Sequence, residues 1–294
     1  MSFIDRIRTT GLSQSEGALS CAVAILSQDG ELSDLERRLI GLFRDQFSPL
    51  SGLDETAFRT ALERAERFVI ENNLMNSANI PAYVRTQLVP LMTQPTHRAE
   101  LYRYAYALAM ADLTIDEGEQ VVLDALLQTF AIAPATRQTA EADVLREFYT
   151  LHHAIAATAL GVIVVTADGR VEQDELDHVR EARALLAPIG HLDDLQFSLV
   201  FDMALNVHDR FLLDSDNRQA FLQNIVSTML NTRELSLQAF EYASAIATAD
   251  GDISQAELDT LKALLDTLNI HDSDGEAIFD RYMVRVRTID GKPR

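Results

Sequence analysis

Apolar residues return along most of this chain at the three- and four-residue steps of an α-helix. Phe58, Leu62, Ala65 and Val69 predict a helix over 54–74, and Leu35, Leu39, Leu42 and Phe43 predict another after residue 33. Val121, Val122, Leu126 and Phe130 mark a third, and Leu258, Leu261, Leu264, Leu265 and Leu268 a fourth. Ala-rich stretches at 99–111 and 239–249 read as helices that allow close neighbours. Further helices are predicted over 134–148, after Pro134, and 272–287, after Asp272, with two more over 191–208 and 215–231. The longest apolar run, Ala154 to Ala167, falls short of the about 20 residues a membrane span needs, so it predicts a buried helix. Val162-Ile163-Val164-Val165 has strand-like composition, but its counterpart in the repeat described next, Ala22-Val23-Ala24-Ile25, is compatible with helix. The expectation is an all-α chain with roughly seven helices per half.

A repeat runs through this pattern. Four segments carry Asp at the first place, an aliphatic residue at the fourth and Glu at the eighth: Asp29 to Glu36, Asp112 to Glu119, Asp168 to Glu175 and Asp250 to Glu257. Three of the four place Gly second, which suits a left-handed helix end. The steps between the four Asp are 83, 56 and 82 residues, so the pattern is a two-motif unit used twice, about 139 residues apart. Tyr104 to Asp112 lines up with Tyr242 to Asp250. The expected domains are residues 1–148 and 149–294, each with internal pseudo-twofold helix-turn-helix repeats. Ser33-x-x-Glu36 and Ser254-x-x-Glu257 are capping boxes, with Asp116-x-x-Glu119 a near relative.

Composition narrows the function classes. There are 25 Lys and Arg against 45 Asp and Glu, a formal net charge of −20. Such a chain repels phosphate backbones, so no nucleic-acid partner is expected, whereas cations and basic protein surfaces are favoured. The single Cys removes disulfide frameworks and Cys-based metal sites, and Cys21, in an Ala-like stretch, reads as a small buried hydrophobe. The start, Met1-Ser2-Phe3-Ile4-Asp5-Arg6-Ile7-Arg8, lacks the apolar core of a signal peptide, so a soluble cytoplasmic chain without a transmembrane segment is expected. Residues 281–294 carry Arg281, Arg285, Arg287, Lys292 and Arg294 against Asp290, either a mobile helix end or a docking element for an acidic surface.

The acidic motifs admit two compatible readings. In one, each Asp accepts hydrogen bonds from amides opening the next helix, and each Glu closes a capping box. In the other, paired motifs gather carboxylates for a hard divalent cation, calcium or magnesium. An EF-hand is not expected, because the places for its first ligands hold Ile246 and Thr248, or Val164 and Thr166. Glu175-Leu176-Asp177-His178 matches one half of a di-iron helix pair, but the sister copies put Leu39, Val122 and Thr260 where His178 stands. His152-His153 reads as a solvated or capping pair ahead of the Ala-rich helix. No G-x-S-x-G, P-loop or dinucleotide fingerprint occurs, and no nucleophile–base pair emerges, so no enzyme is expected.

The Ala-rich helix, the Ala-Asp-Gly-x-aliphatic-x-x-x-Glu corner and the aliphatic second helix together resemble the tellurite-resistance TerB-like family. Ala167 to Glu175 and Ala249 to Glu257 carry the resemblance best. It implies two all-helical TerB-like domains in tandem, covering nearly the whole chain. It also implies a role in bacterial stress response, including tellurite resistance and phage defence, within protein complexes, some of them peripheral to membranes. By position it implies cation ligands at Asp29, Glu36, Asp112, Glu119, Asp168, Glu175, Asp250 and Glu257. Gln28 replaces the family's Ala, and Leu113 its Gly, where a left-handed turn is unfavourable for Leu; if one domain has lost a site, the first is the one expected to have done so. No His-Pro-Asp is present, so the family's J-domain co-chaperone activity is not carried here. The functional expectation is a non-enzymatic, cation-responsive scaffold or adaptor with a protein partner. A pure interaction module whose motifs only cap helices is the alternative, and a metal-dependent enzyme a third.

Overall fold

A computed structural model describes residues 12–27, 32–167, 173–249 and 253–289, side chains at 173–175 and 284–289 excepted. Every described regular element is helical, which agrees with the all-α expectation. The chain divides after Phe148 into two compact units.

In the first unit the longer helices are α1 (Gln14–Leu26), α2 (Asp34–Leu42), α3 (Glu55–Glu71), α4 (Pro95–Ala109), α5 (Glu117–Phe130) and α6 (Pro134–Glu147). The second holds α7 (Tyr149–Val165), α8 (Gln173–Ala182), α9 (Asp194–Val207), α10 (Arg233–Ala247), α11 (Gln255–Thr267) and α12 (Asp272–Ile289). The run Val162–Val165 lies inside α7 and is helical, as its place in the repeat predicts.

The most apolar helix of each unit sits at its centre. Eleven of the thirteen residues of α1 are buried, and thirteen of the seventeen of α7. A helix apolar on all sides has no face to give to water, so its neighbours must surround it. Helices α3, α4 and α5 pack on α1, and α8, α9, α10 and α11 on α7. Small residues bring these helices close. A Cβ added at Gly161 of α7 would stand 2.4 Å from the Tyr242 hydroxyl of α10.

The second unit repeats the first element by element. The short turns Arg44–Gln46 and Ser48–Ser51 recur 139 residues on as Arg183–Leu185 and Ala187–Gly190, with a Pro in the first turn of each second piece. Arg44 lies 5.5 Å over Phe58 and pairs with Glu55 at 3.2 Å; Arg183 lies 5.0 Å over Phe197 and pairs with Asp194 at 2.6 Å. From residue 77 the offset is 138: the π-helical turn Val84–Leu88 recurs as Leu222–Val226. The helix predicted over 215–231 is therefore interrupted, since a π turn takes one extra residue per hydrogen-bonded ring. Near the lost residue, the second unit has a further π turn, His208–Leu212. The first closes the same helix with Asn73 in a left-handed conformation.

The two histidines at 152–153 depart from expectation. Both lie within α7 rather than ahead of it, and His152 is only 1% exposed. His153 Nε2 is hydrogen-bonded with the Met229 carbonyl. Tertiary packing at the start of α7 encloses a residue that local sequence places in water.

Candidate functional site: the acidic corners

Each corner joins a buried helix to an amphipathic one: α1 to α2, α4 to α5, α7 to α8 and α10 to α11. Three of the four incoming helices end on a hydroxyl that bonds back four residues: Ser27 Oγ donates to the Val23 carbonyl at 2.7 Å, Thr166 to Val162 at 2.7 Å and Thr248 to Ser244 at 2.8 Å. At Val23 and Val162 the carbonyl also takes the backbone amide of the same residue, so the hydroxyl is a second donor to it. The fourth incoming helix has Met110 at this place.

The second corner is described in full. Leu113 takes the left-handed conformation at φ 69°, where the other copies carry Gly, and its side chain is buried. The turn thus keeps its left-handed residue despite the substitution. Asp112, also buried, accepts at Oδ1 from the amide (3.2 Å) and the hydroxyl (3.1 Å) of Thr114. The predicted acceptance from the first amides of the next helix falls instead to Asp116. It caps α5 by taking the Glu119 amide at 2.8 Å, while Glu119 Oε2 takes the Asp116 amide at 2.9 Å. The near relative of a capping box is a complete one.

Glu36 and Glu257 do the same at α2 and α11. The Ser33 amide donates to Glu36 Oε2 at 2.6 Å and the Ser254 amide to Glu257 Oε2 at 2.7 Å, each returned by a serine hydroxyl. Burial separates the copies: Glu36 and Glu119 are buried, the latter 1% exposed, whereas Glu257 is half-buried. Of the other expected ligands, Asp29, Asp168 and Asp250 lie outside the described residues, as does the side chain of Glu175. Among the described residues no group of three or more His, Cys, Asp or Glu is arranged to hold a metal. Each of the four described motif carboxylates thus accepts a hydrogen bond from a local backbone amide.

The remaining motif candidates resolve locally. His178 Nδ1 lies 3.9 Å from Glu181. Cys21 is buried, and burial pushes its thiol up to about 12, which removes thiolate reactivity at neutral pH. The side chains of Arg285 and Arg287, and Lys292 and Arg294 entirely, lie outside the described residues. A third Ser-x-x-Glu box, Ser13 with Glu16, opens α1, and its signature too stands in the sequence; Glu16 Oε2 takes the Ser13 amide at 2.7 Å.

Comparison with known families assigns part of this chain. Residues 154–279 match the family described as tellurite resistance protein TerB, so a TerB domain is found there, from within α7 to within α12. No curated protein and no solved structure matches the chain. Among the described residues no single helix is long and apolar enough to cross a membrane.

Proposed function

We propose that the chain is a non-enzymatic adaptor built from two TerB-like units, acting in a bacterial stress response and responsive to a divalent cation at its acidic corners. The TerB match at 154–279 supports a tellurite-resistance-like role for the second unit. The element-by-element recurrence at 138–139 residues supports reading the first unit as a second TerB-like domain. The observation that carries the cation part is the fourfold recurrence of Asp and Glu at one spacing in a chain of net charge −20. Carboxylates are the ligands a hard divalent cation takes.

The residues that would hold such an ion are Asp29, Glu36, Asp112 and Glu119 in the first unit, and Asp168, Glu175, Asp250 and Glu257 in the second. A bound cation would neutralise these carboxylates and stiffen the corners, favouring one partner-binding arrangement. Glu119→Gln separates the two roles, because Gln also closes a capping box. Isothermal titration with calcium and magnesium is expected to show binding heat for the wild type, weakened at least about tenfold by Glu119→Gln, with the melting midpoint without metal nearly unchanged. Absence of binding heat at millimolar metal would overturn the cation part.

The completeness of the capping boxes favours a second reading, in which the corners serve only to join helices. A melting midpoint indifferent to calcium and to chelator selects it.

A further inference from the structure

The first unit carries a surface groove of about 580 Å³ between the π-turn segment and α5. It is lined by apolar Pro81, Val89, Val121 and Ala125, its floor, and by polar Gln128 and Thr129, with Arg85 on the π-turn segment and Asp124 on α5. The second unit offers a comparison within one chain, because the same two walls recur 138 residues on. There the four floor positions are Gln219, Ser227, Asp259 and Ala263, and Arg85 and Asp124 become Gln223 and Lys262. The shared scaffold therefore stands without apolar residues at three of these four places, and packing of the unit does not account for them in the first.

Charge selects the occupant. Arg85 is exposed and makes no ion pair with any described residue. On the other wall Asp124 accepts the side-chain amide of Gln120 at 2.8 Å and lies within electrostatic reach of Arg137. One cation and one anion lining the groove do not match a polyphosphate or an anionic membrane, which need several cations on one face. It matches a helix whose apolar stripe is flanked by a carboxylate on one side and an ammonium on the other. We propose that this groove is the adaptor surface of the first unit, and that it takes an amphipathic helix of a partner protein with Glu or Asp set against Arg85. This inference rests on the adaptor reading above and names the surface it uses.

The test uses the full chain and a synthetic helix with leucines at i, i+3, i+4 and i+7, flanked by Glu on one side and Lys on the other. Methyl NMR is expected to show saturable shifts at Val89, Val121 and Ala125. Affinity should fall at least about tenfold in Val121→Asp and Val89→Ser, changes that introduce the residues the second unit already carries and so preserve the fold. Arg85→Glu should weaken the same peptide and regain it when the facing Glu of the peptide is exchanged for Lys. Absence of saturable shifts, or binding indifferent to Val121→Asp, overturns the proposal. So does a dimer in sedimentation velocity that Val121→Asp dissolves, which would make the groove a self-association face. Binding to phosphatidylserine vesicles that Val121→Asp abolishes overturns it in favour of a membrane. Failure here with cation heat intact removes the groove alone; loss of cation heat with helix binding intact removes only the cation part.

Discussion

Leu113 and Ala131 occupy the same left-handed conformation, at φ 69° and 51°, and differ in what surrounds them. Left-handed backbone costs an L-residue about 1–2 kcal/mol. Leu113 offsets this by burying its side chain, worth about 2 kcal/mol, while exposed Ala131 recovers nothing comparable. Ala131→Gly is therefore expected to stabilise by about 0.5–1 kcal/mol in denaturant unfolding, and Leu113→Gly to destabilise by at least about 1 kcal/mol because the cavity outweighs the relief. Glu16 contributes to the acid response of its unit. Burial pushes its carboxyl up, but the Ser13 amide and the Arg64 guanidinium, 2.9 Å away, hold it below its ordinary 4.5. A carboxyl lowered in the folded state stabilises above its unfolded value and loses that contribution as pH falls through the folded one. Unfolding midpoints followed below about pH 4.5 should thus fall less steeply for Glu16→Gln than for the wild type. At neutral pH the variant should lose about 1 kcal/mol, with the ionic share small because Arg64 is 65% exposed. The second unit has Ile155 and Met203 at these two places and carries no such sensitivity there.

At the scale of elements, contacts between helices far apart in the chain order the Ala-rich helix of each second motif. Tyr104 of α4 donates its hydroxyl to the Ile40 carbonyl at the far end of α2 at 3.1 Å. The counterpart in the second unit is Tyr242 of α10, 3.5 Å from the Val179 carbonyl of α8. Each bond ties the helix entering one corner to the helix leaving the other, so the two corners of a unit share a frame. In the second unit this approach requires Gly161. Gly161→Ala drives a methyl into the Tyr242 ring and should cost about 1–3 kcal/mol, partly regained by Tyr242→Phe, which removes the nearest atom. Thermal unfolding of the two variants and the double variant checks this.

For the whole molecule, each unit surrounds its own apolar helix and divides from the other at the step from Phe148 to Tyr149. Each thus has a core of its own and the length of an ordinary domain. Residues 1–148 and 149–294, expressed separately, are expected to give helical circular dichroism and cooperative melting; a fragment that fails to melt cooperatively would show that its core is completed elsewhere. The units have diverged while keeping one set of elements. The first carries 13 basic and 21 acidic side chains and the second 12 and 24, so the second is the more acidic and the first bears the apolar groove.

Helical periodicity, the doubling and the capping boxes at 33–36, 116–119 and 254–257 were legible in the sequence because each is a relation between residues a few positions apart, or an identity between distant copies. The tertiary structure alone decided which periodic faces meet. It enclosed His152, placed Leu113 in a left-handed turn stabilised by burial, interrupted the helix over 215–231 with a π turn, and set Val89 and Val121 on the two walls of one groove. These outcomes depend on packing between segments tens of residues apart, where the energy of burial outweighs the local preference of any residue.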